Sequence, residues 1–187
     1  IKMQGAGNDY VYVDCTKNMI ENPSEMAIRV SDRHFGVGSD GMILIKSSEK
    51  ADFFMEMYNA DGSQGKMCGN GIRCVGKFVY DNGLTNKTTV TVDTLSGVKT
   101  LELHLGEDGK VSSVTVNMGA PVLEAELIPV KPELFGVEAK DSIISKKLTV
   151  AGDSYNVTCV SMGNPHAIVY LDNDCLLYTS PSPRDST

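Results

Sequence analysis

Residues 67–74 read Met-Cys-Gly-Asn-Gly-Ile-Arg-Cys, a cysteine followed by two glycines around an asparagine, where a loop should turn into a helix. At a helix N-terminus the first backbone N–H groups lack intrahelical acceptors and the helix dipole favours negative charge, so a thiol placed there is biased toward its thiolate. Gly69 and Gly71 carry no Cβ, which lets amides close on a bound carboxylate, and Asn70 adds donors and an acceptor. The chemistry this suits is proton transfer by Cys68 beside an anion clamp. For Cys-Gly-Asn alone, a buried cysteine ahead of a glycine-rich helix cap would be the favoured explanation. Further polar loops at Asn8, Asn59 and Asn164 weigh against that plainer explanation.

Other chemistries fit less well. The dinucleotide fingerprint needs a strand and then G-x-G-x-x-G opening a helix, whereas Gly5/Gly7 and Gly36/Gly38/Gly41 both precede strands, and the third cluster has Cys74 in place of its last glycine. A phosphate-binding loop is excluded because no Gly-Lys-Ser/Thr occurs. A cysteine–histidine hydrolase needs a histidine base. His34, His104 and His166 are available, and of these His166, after Gly-Asn-Pro, could enter a site.

The elements that must hold these groups follow from periodicity and punctuation. Tyr10–Asp14 is β-branched and aromatic and reads as a strand after the glycine loop Gln4–Asp9. Asn22-Pro23-Ser24-Glu25 offers an N-cap and a proline at the first helical position, so a short helix runs toward Arg33. Met42–Ile45 and Phe53–Tyr58 make two more strands, the latter ending at the turn Asn59-Ala60-Asp61-Gly62. Ile72, Val75, Phe78 and Val79 recur at helical spacing after Cys68, and Asn82-Gly83 stops the helix. Three alternating strands follow at Thr88–Asp93, Lys99–Leu105 and Val111–Asn117, with His104 on a solvated face.

With 187 residues, 41% hydrophobic and 22% charged, the chain has the composition of a globular protein of one or two domains. A formal net charge of -7 and a pI near 4.9 argue against a nucleic-acid partner. No apolar run of membrane-spanning length and no secretory signal pattern occurs, which makes the cytosol the expected compartment. Cysteines stand at 15, 68, 74, 159 and 175, an odd number with no C-x-x-C pair, suiting neither a disulfide framework nor a zinc site. Cys15, Cys74 and Cys159 read as small buried apolar side chains.

One internal echo stands out. Gly7-Asn8-Asp9-Tyr10 enters a strand that ends at Asp14, and Gly163-Asn164-Pro165-His166 enters Ala167–Leu171 and then Asp172, as if one module began twice. In a repeated module the counterpart of Cys68 would fall beyond Thr187. From Asn173 the sequence becomes Ser/Pro-rich and reads as a tail foreign to the domain, so Cys175 is a poor candidate for chemistry.

Taken in order, Gly5-Ala6-Gly7-Asn8-Asp9-Tyr10, Arg33-His34-Phe35-Gly36-Val37-Gly38-Ser39-Asp40-Gly41, Tyr58-Asn59-Ala60-Asp61-Gly62-Ser63, Met67-Cys68-Gly69-Asn70-Gly71-Ile72-Arg73-Cys74, Asn117-Met118-Gly119-Ala120-Pro121 and Ser161-Met162-Gly163-Asn164-Pro165-His166 closely resemble the diaminopimelate epimerases, from the first residue to about Asp172. The resemblance implies an α+β fold, a mixed β-sheet or barrel wrapped around a central helix, in two pseudo-symmetric domains. It assigns 1–117 to the first domain, 118–172 to part of the second, and leaves 173–187 as the tail. It implies interconversion of LL- and meso-diaminopimelate with no cofactor and no metal, by two cysteines that flank Cα. Cys68 matches the first catalytic cysteine and His166 a histidine near the catalytic centre. Asn8, Asn59, Gly69, Asn70 and Asn164 match substrate-holding positions, while Gly41 stands where some members carry a polar side chain. The implied partner is the small-molecule substrate, with neither nucleic acid nor membrane, and a homodimer is allowed for the full-length protein. The family's second Cys-Gly-Ser/Asn-Gly motif and its Glu-Arg substrate contacts do not occur before Thr187, so the expectation is a fragment, inactive alone, with an unfinished apolar face in its second part. A related racemase of the proline type and a non-catalytic binding domain are the alternatives.

Overall fold

The computed structural model describes residues 1–170 and divides into two compact units, Ile1–Gly119 and a second beginning at Ala120. In the first unit an eight-stranded mixed sheet is built from β1 (Lys2–Gly5), β2 (Asn8–Asp14), β3 (Gly41–Lys46), β4 (Phe53–Asn59), β5 (Gln64–Gly65), β6 (Thr89–Asp93), β7 (Lys99–Leu105) and β8 (Val111–Val116). The main path runs β1-β2-β3-β4-β6-β7-β8, with β5 paired to β4. Pairing is parallel between β2 and β3 and between β4 and β6, and antiparallel elsewhere. Two helices, α1 (Pro23–Ser31) and α2 (Gly69–Asp81), lie on opposite faces.

The two-residue period of β3 explains how one strand serves both helices. Met42 and Leu44 pack with Ala27 of α1, Cys15 and Tyr58, whereas Ile43 and Ile45 pack with Ile72, Val75 and Val79 of α2 and with Tyr10 and Tyr12. Helix α2 touches β1 and β2 near one end of the sheet and β7 and β8 at the other, so the sheet curls around it. Two glycines permit that close approach. A Cβ at Gly71 would lie 2.7 Å from Ile43 Cδ1, and one at Gly76 would lie 2.8 Å from Leu103 Cδ2.

In the second unit β9 (Lys146–Val150), β10 (Asp153–Ser161) and β11 (Pro165–Val169) form an antiparallel sheet in the order β11-β10-β9 over Ala125, Ile128, Ile143, Val157 and Cys159. Leu127, Leu134, Ile144 and Val150 are exposed in this unit. The sequence echo has a structural counterpart. β1 and β2 form a hairpin whose turn carries Gly7 at φ 83° before Asn8, and β10 and β11 form one whose turn carries Gly163 at φ 97° before Asn164.

Two expectations need correction. Asn22 does not cap α1 with its side chain, because its backbone sits in the left-handed region (φ 49°, ψ 58°) instead of the extended region a capping side chain needs. Ser24 Oγ instead donates to the Gly62 carbonyl at 2.7 Å, tying α1 to the turn after β4. Gln4 and Gly5, read as the start of a loop, belong to the edge strand Lys2–Gly5 that pairs with β2. His104 is exposed, as expected, with Nε2 2.9 Å from Thr115 Oγ1. No helix among the described residues is long and apolar enough to cross a membrane. The tail at 173–187, and Cys175 within it, lie outside the described residues.

Carboxylates held by cations give this fold a specific acid response. Arg33 and then Lys2 hold the Asp9 carboxyl well below the usual aspartate range, and Lys87 together with the Thr91 amide lowers Asp52. A depressed folded value means that the stabilisation is complete above the unfolded value near 3.8 and is lost as pH falls through the folded one. The urea midpoint should therefore stay level from about pH 7 to 5 and fall below about pH 4. Asp52→Asn should cost about 1 kcal/mol at pH 7 and shrink that acid-side fall.

Candidate active site

The N-terminal ends of β2 and β3 and the C-terminal end of β4 meet at one end of the sheet, because β2 runs parallel to β3 while Gly41 pairs with Asn59. The N-terminus of α2 reaches the same place. Gly5 makes this possible, since a Cβ there would press within 3.0 Å of the Asn70 carbonyl oxygen.

Cys68 is the N-cap of α2, with extended backbone (φ -135°, ψ 114°), and its carbonyl accepts the first helical bond from Ile72 N at 2.9 Å. Its sulfur occupies the place a serine or aspartate oxygen usually takes, accepting from Gly71 N at 3.3 Å. The amides of Gly69 and Asn70 have no intrahelical acceptor, which follows from helix geometry. The sulfur is also 3.2 Å from Asn8 Oδ1, a contact in which the thiol donates.

Asn8 is held in turn. Its Nδ2 donates to Asp40 Oδ2 at 2.7 Å, and the same oxygen accepts from Asp9 N at 3.1 Å, while Asp40 Oδ1 accepts from Arg33 at 3.0 Å. Arg33 also donates to both carboxylate oxygens of Asp9, at 2.9 and 3.3 Å, and Lys2 pairs with Asp9 at 2.9 Å. On the apolar side of the sulfur, burial and then the neighbouring Cys68 push the Tyr10 phenol up to about 12, so it stays protonated near neutrality. Tyr12 is likewise pushed up, by burial first, and its hydroxyl donates to the Gly71 carbonyl at 3.3 Å.

The remaining candidates fall into two groups. Asn70 Oδ1 accepts from Arg73 at 2.6 Å, so what Asn70 can offer a ligand is its Nδ2 donor. Gly69 is not required by backbone or packing: its φ is not positive, and an added Cβ would meet only Met118, at 3.7 Å. Asn59 ends β4 with Nδ2 donating to Ser63 Oγ at 2.9 Å, and the next amide, Ala60 N, donates to the Asp40 carbonyl at 3.0 Å. Asn8, Asn59, Cys68, Gly69 and Asn70 thus belong to one end of the first unit. Asn164 and His166 belong to the second, where His166 Nε2 lies 3.1 Å from Asn164 Oδ1 and both are exposed. Cys15, Cys74 and Cys159 are buried as expected, and burial pushes the thiols of Cys15 and Cys159 up, away from reactivity.

Residue spacing did not single out Asp40, Arg33 or Tyr10 as part of this site. The one available signal was two opposite charges, Arg33 and Asp40, framing a loop otherwise rich in glycine.

The diaminopimelate epimerase family model matches residues 1–124. Curated diaminopimelate epimerases from Methanococcus maripaludis and Acetivibrio thermocellus are 56% and 54% identical over 172 residues, or 92% of this chain. The chain spans about 60% of the length of those relatives. Among solved structures, a phenazine biosynthesis protein of the PhzF family from Bacillus anthracis aligns at TM-score 0.57 and 23% identity, covering 89% of this chain and 51% of that one. A hydroxyproline epimerase from Agrobacterium vitis, solved with trans-4-hydroxy-L-proline, aligns at 0.58 and 13%, covering 90% and 50%. These two likenesses establish the shared fold. The family model and the sequence relatives establish more: this chain belongs to the diaminopimelate epimerase family.

Proposed function

We propose that this chain supplies one of the two acid/base cysteines of a cofactor-independent epimerase that interconverts LL- and meso-diaminopimelate. The observation that carries the reading is the Cys68 sulfur at the cap of α2, between the Gly71 amide and Asn8, beside a Gly69 that nothing in the fold requires. A Cα proton next to a carboxylate is a very weak acid, so its removal needs oriented donors on that carboxylate in a site shielded from water. The free amides of Gly69 and Asn70 and the Asn70 Nδ2 are such donors, and Cys68 is the group that takes or returns the proton. Asn59 and Asn8 hold the rest of the substrate from the ends of β4 and β2.

Inversion requires a proton to leave one face of Cα and another to arrive at the opposite face, so a second acid/base group must stand across from Cys68. Cys15, Cys74 and Cys159 are buried, so none of these three suits that role. The second cysteine is proposed to come from the part of the relatives' length that this chain does not span, and the chain alone is proposed not to turn over.

In heavy water with LL-diaminopimelate, the full-length gene product should gain deuterium at Cα, and the 187-residue chain should do so at under roughly a thousandth of that rate. Deuterium entering L-proline or trans-4-hydroxy-L-proline instead would move the assignment to a racemase of that type. Formation of the meso isomer by the chain alone would refute the need for a second cysteine.

Gly69→Ala separates ligand approach from folding. The methyl has room, so the melting temperature should move by no more than about 2 °C. The exchange rate of the full-length protein should nonetheless fall roughly tenfold or more, because the Cβ stands where the carboxylate must meet the amides. An unchanged rate would remove the carboxylate from this helix end.

A further inference from the structure

The amide of Asn8 could present either its oxygen or its nitrogen to the Cys68 sulfur, with opposite consequences. An oxygen accepts a hydrogen bond and favours the thiol, whereas an N–H donates and favours the thiolate. Asp40 decides between them. Its carboxylate can only accept, and Oδ2, 2.7 Å from Asn8 Nδ2, already takes a second bond from Asp9 N. Turning the amide over would set two oxygens against each other at that distance, so Oδ1 is left to face the sulfur at 3.2 Å. Arg33, donating to Asp40 Oδ1 and to both oxygens of Asp9, fixes the carboxylate from behind.

We propose that Asp40 is a positioning residue for Cys68: by fixing the Asn8 amide it holds the sulfur as a hydrogen-donating thiol, against the pull of the helix amides toward the thiolate. The functional meaning of this rests on the reading of Cys68 as a proton-transfer group. The resting chain is thereby set with Cys68 on the acid side of the exchange, and a ligand that displaces or turns Asn8 releases it as a base. The other groups facing the sulfur do not supply this bias. Tyr10 and Tyr12 of β2 are neutral near pH 7, and the Gly71 amide pulls the other way. Of the remaining charges nearby, Lys2, Asp9 and Arg33 belong to the cluster that holds Asp40 in place, and Arg73, bound to the Gly69 carbonyl and Asn70 Oδ1, is a cation and so pulls toward the thiolate.

The test is alkylation of Cys68 by iodoacetamide in the 187-residue chain, followed peptide by peptide across pH, with each rate divided by its own alkaline plateau so that accessibility cancels. Asp40→Asn should raise the normalised rate at pH 7 about five- to tenfold, since an asparagine can accept from or donate to a turned Asn8. Removing the Asp40 charge could do the same through space, and a double-mutant cycle separates the causes. In an Asn8→Ala background, Asp40→Asn should change the rate by less than about twofold. An equal gain in both backgrounds, or no gain with Asn8 present, overturns the proposal. Buried Cys15 and Cys74 report on folding in the same digest. Should Asp40→Asn expose them, Asn8→Ala alone decides: a faster Cys68 supports the proposal, and an unchanged or slower one overturns it. No substrate enters this experiment, so its outcome is independent of whether the full-length protein acts on diaminopimelate.

Discussion

Replacing Cys68 with alanine in the full-length protein is expected to lower the rate of diaminopimelate epimerisation by roughly a thousandfold or more, the scale of losing a positioned acid/base group. The fold should lose far less. The sulfur accepts from Gly71 N at 3.3 Å, and removing a cap of this kind costs about 1 kcal/mol, a drop of a few degrees in melting temperature. Serine sharpens the contrast. Its hydroxyl is a better cap than a thiol, so Cys68→Ser should regain the stability lost in Cys68→Ala, yet it is too weak an acid to exchange the proton and should stay inactive. Isomer ratios by chiral chromatography and a thermal melt on the same samples check both halves. A serine variant with near-normal rate would mean that the side chain at position 68 is needed for capping alone.

A large loss of stability is expected from Gly36→Ala. The chain leaves α1 by folding its next turn back on the helix, with Gly36 N donating to the Asp32 carbonyl at 2.9 Å, and Val37 N and Gly38 N both donating to Val30. A Cβ at position 36 would stand 2.3 Å from the Arg29 carbonyl oxygen and 2.9 Å from those of Val30 and Asp32. All three obstacles are backbone, so no side chain can move aside, and the cost should be about 3 kcal/mol, or roughly 10 °C in melting temperature. Gly97 is the control: nothing lies within 4 Å of its Cβ position, and the cost of its φ of 90° alone should be about 1 kcal/mol on substitution by alanine. The damage at Gly36 should also reach chemistry, because the same loop carries Arg33 and Asp40, which hold Asn8. Equal melting temperatures for the two variants would contradict this packing.

How much of this was legible beforehand depended on whether the signal was local. Helix α2 was readable because Ile72, Val75, Phe78 and Val79 form a face and Asn82-Gly83 ends it, with Gly83 at φ 72°. Strands β4 and β7 were readable from alternation or aromatic content bounded by turns. The cap at Asn22 misled because the residue type was right while the backbone, drawn into the left-handed region, could not use it. Strand β1 was missed because four residues at a sheet edge, rich in glycine toward the turn, carry almost no pattern of their own. The contact from Asp40 to Asn8 crosses 32 residues and exists because β2 and β3 pair in parallel, which no nearby residue signals. The Cys68 cap, by contrast, was visible as a type and a place, and the structure adds which atoms touch it.

Whether Cys68 moves the proton is decided by deuterium at Cα of the product isomer formed in heavy water by full-length wild type and by Cys68→Ala. Wild type should carry close to one deuterium per inverted centre, and the variant none above background. A Cys68→Ala protein that still inverts diaminopimelate with full solvent deuterium at Cα would show that some other group moves the proton.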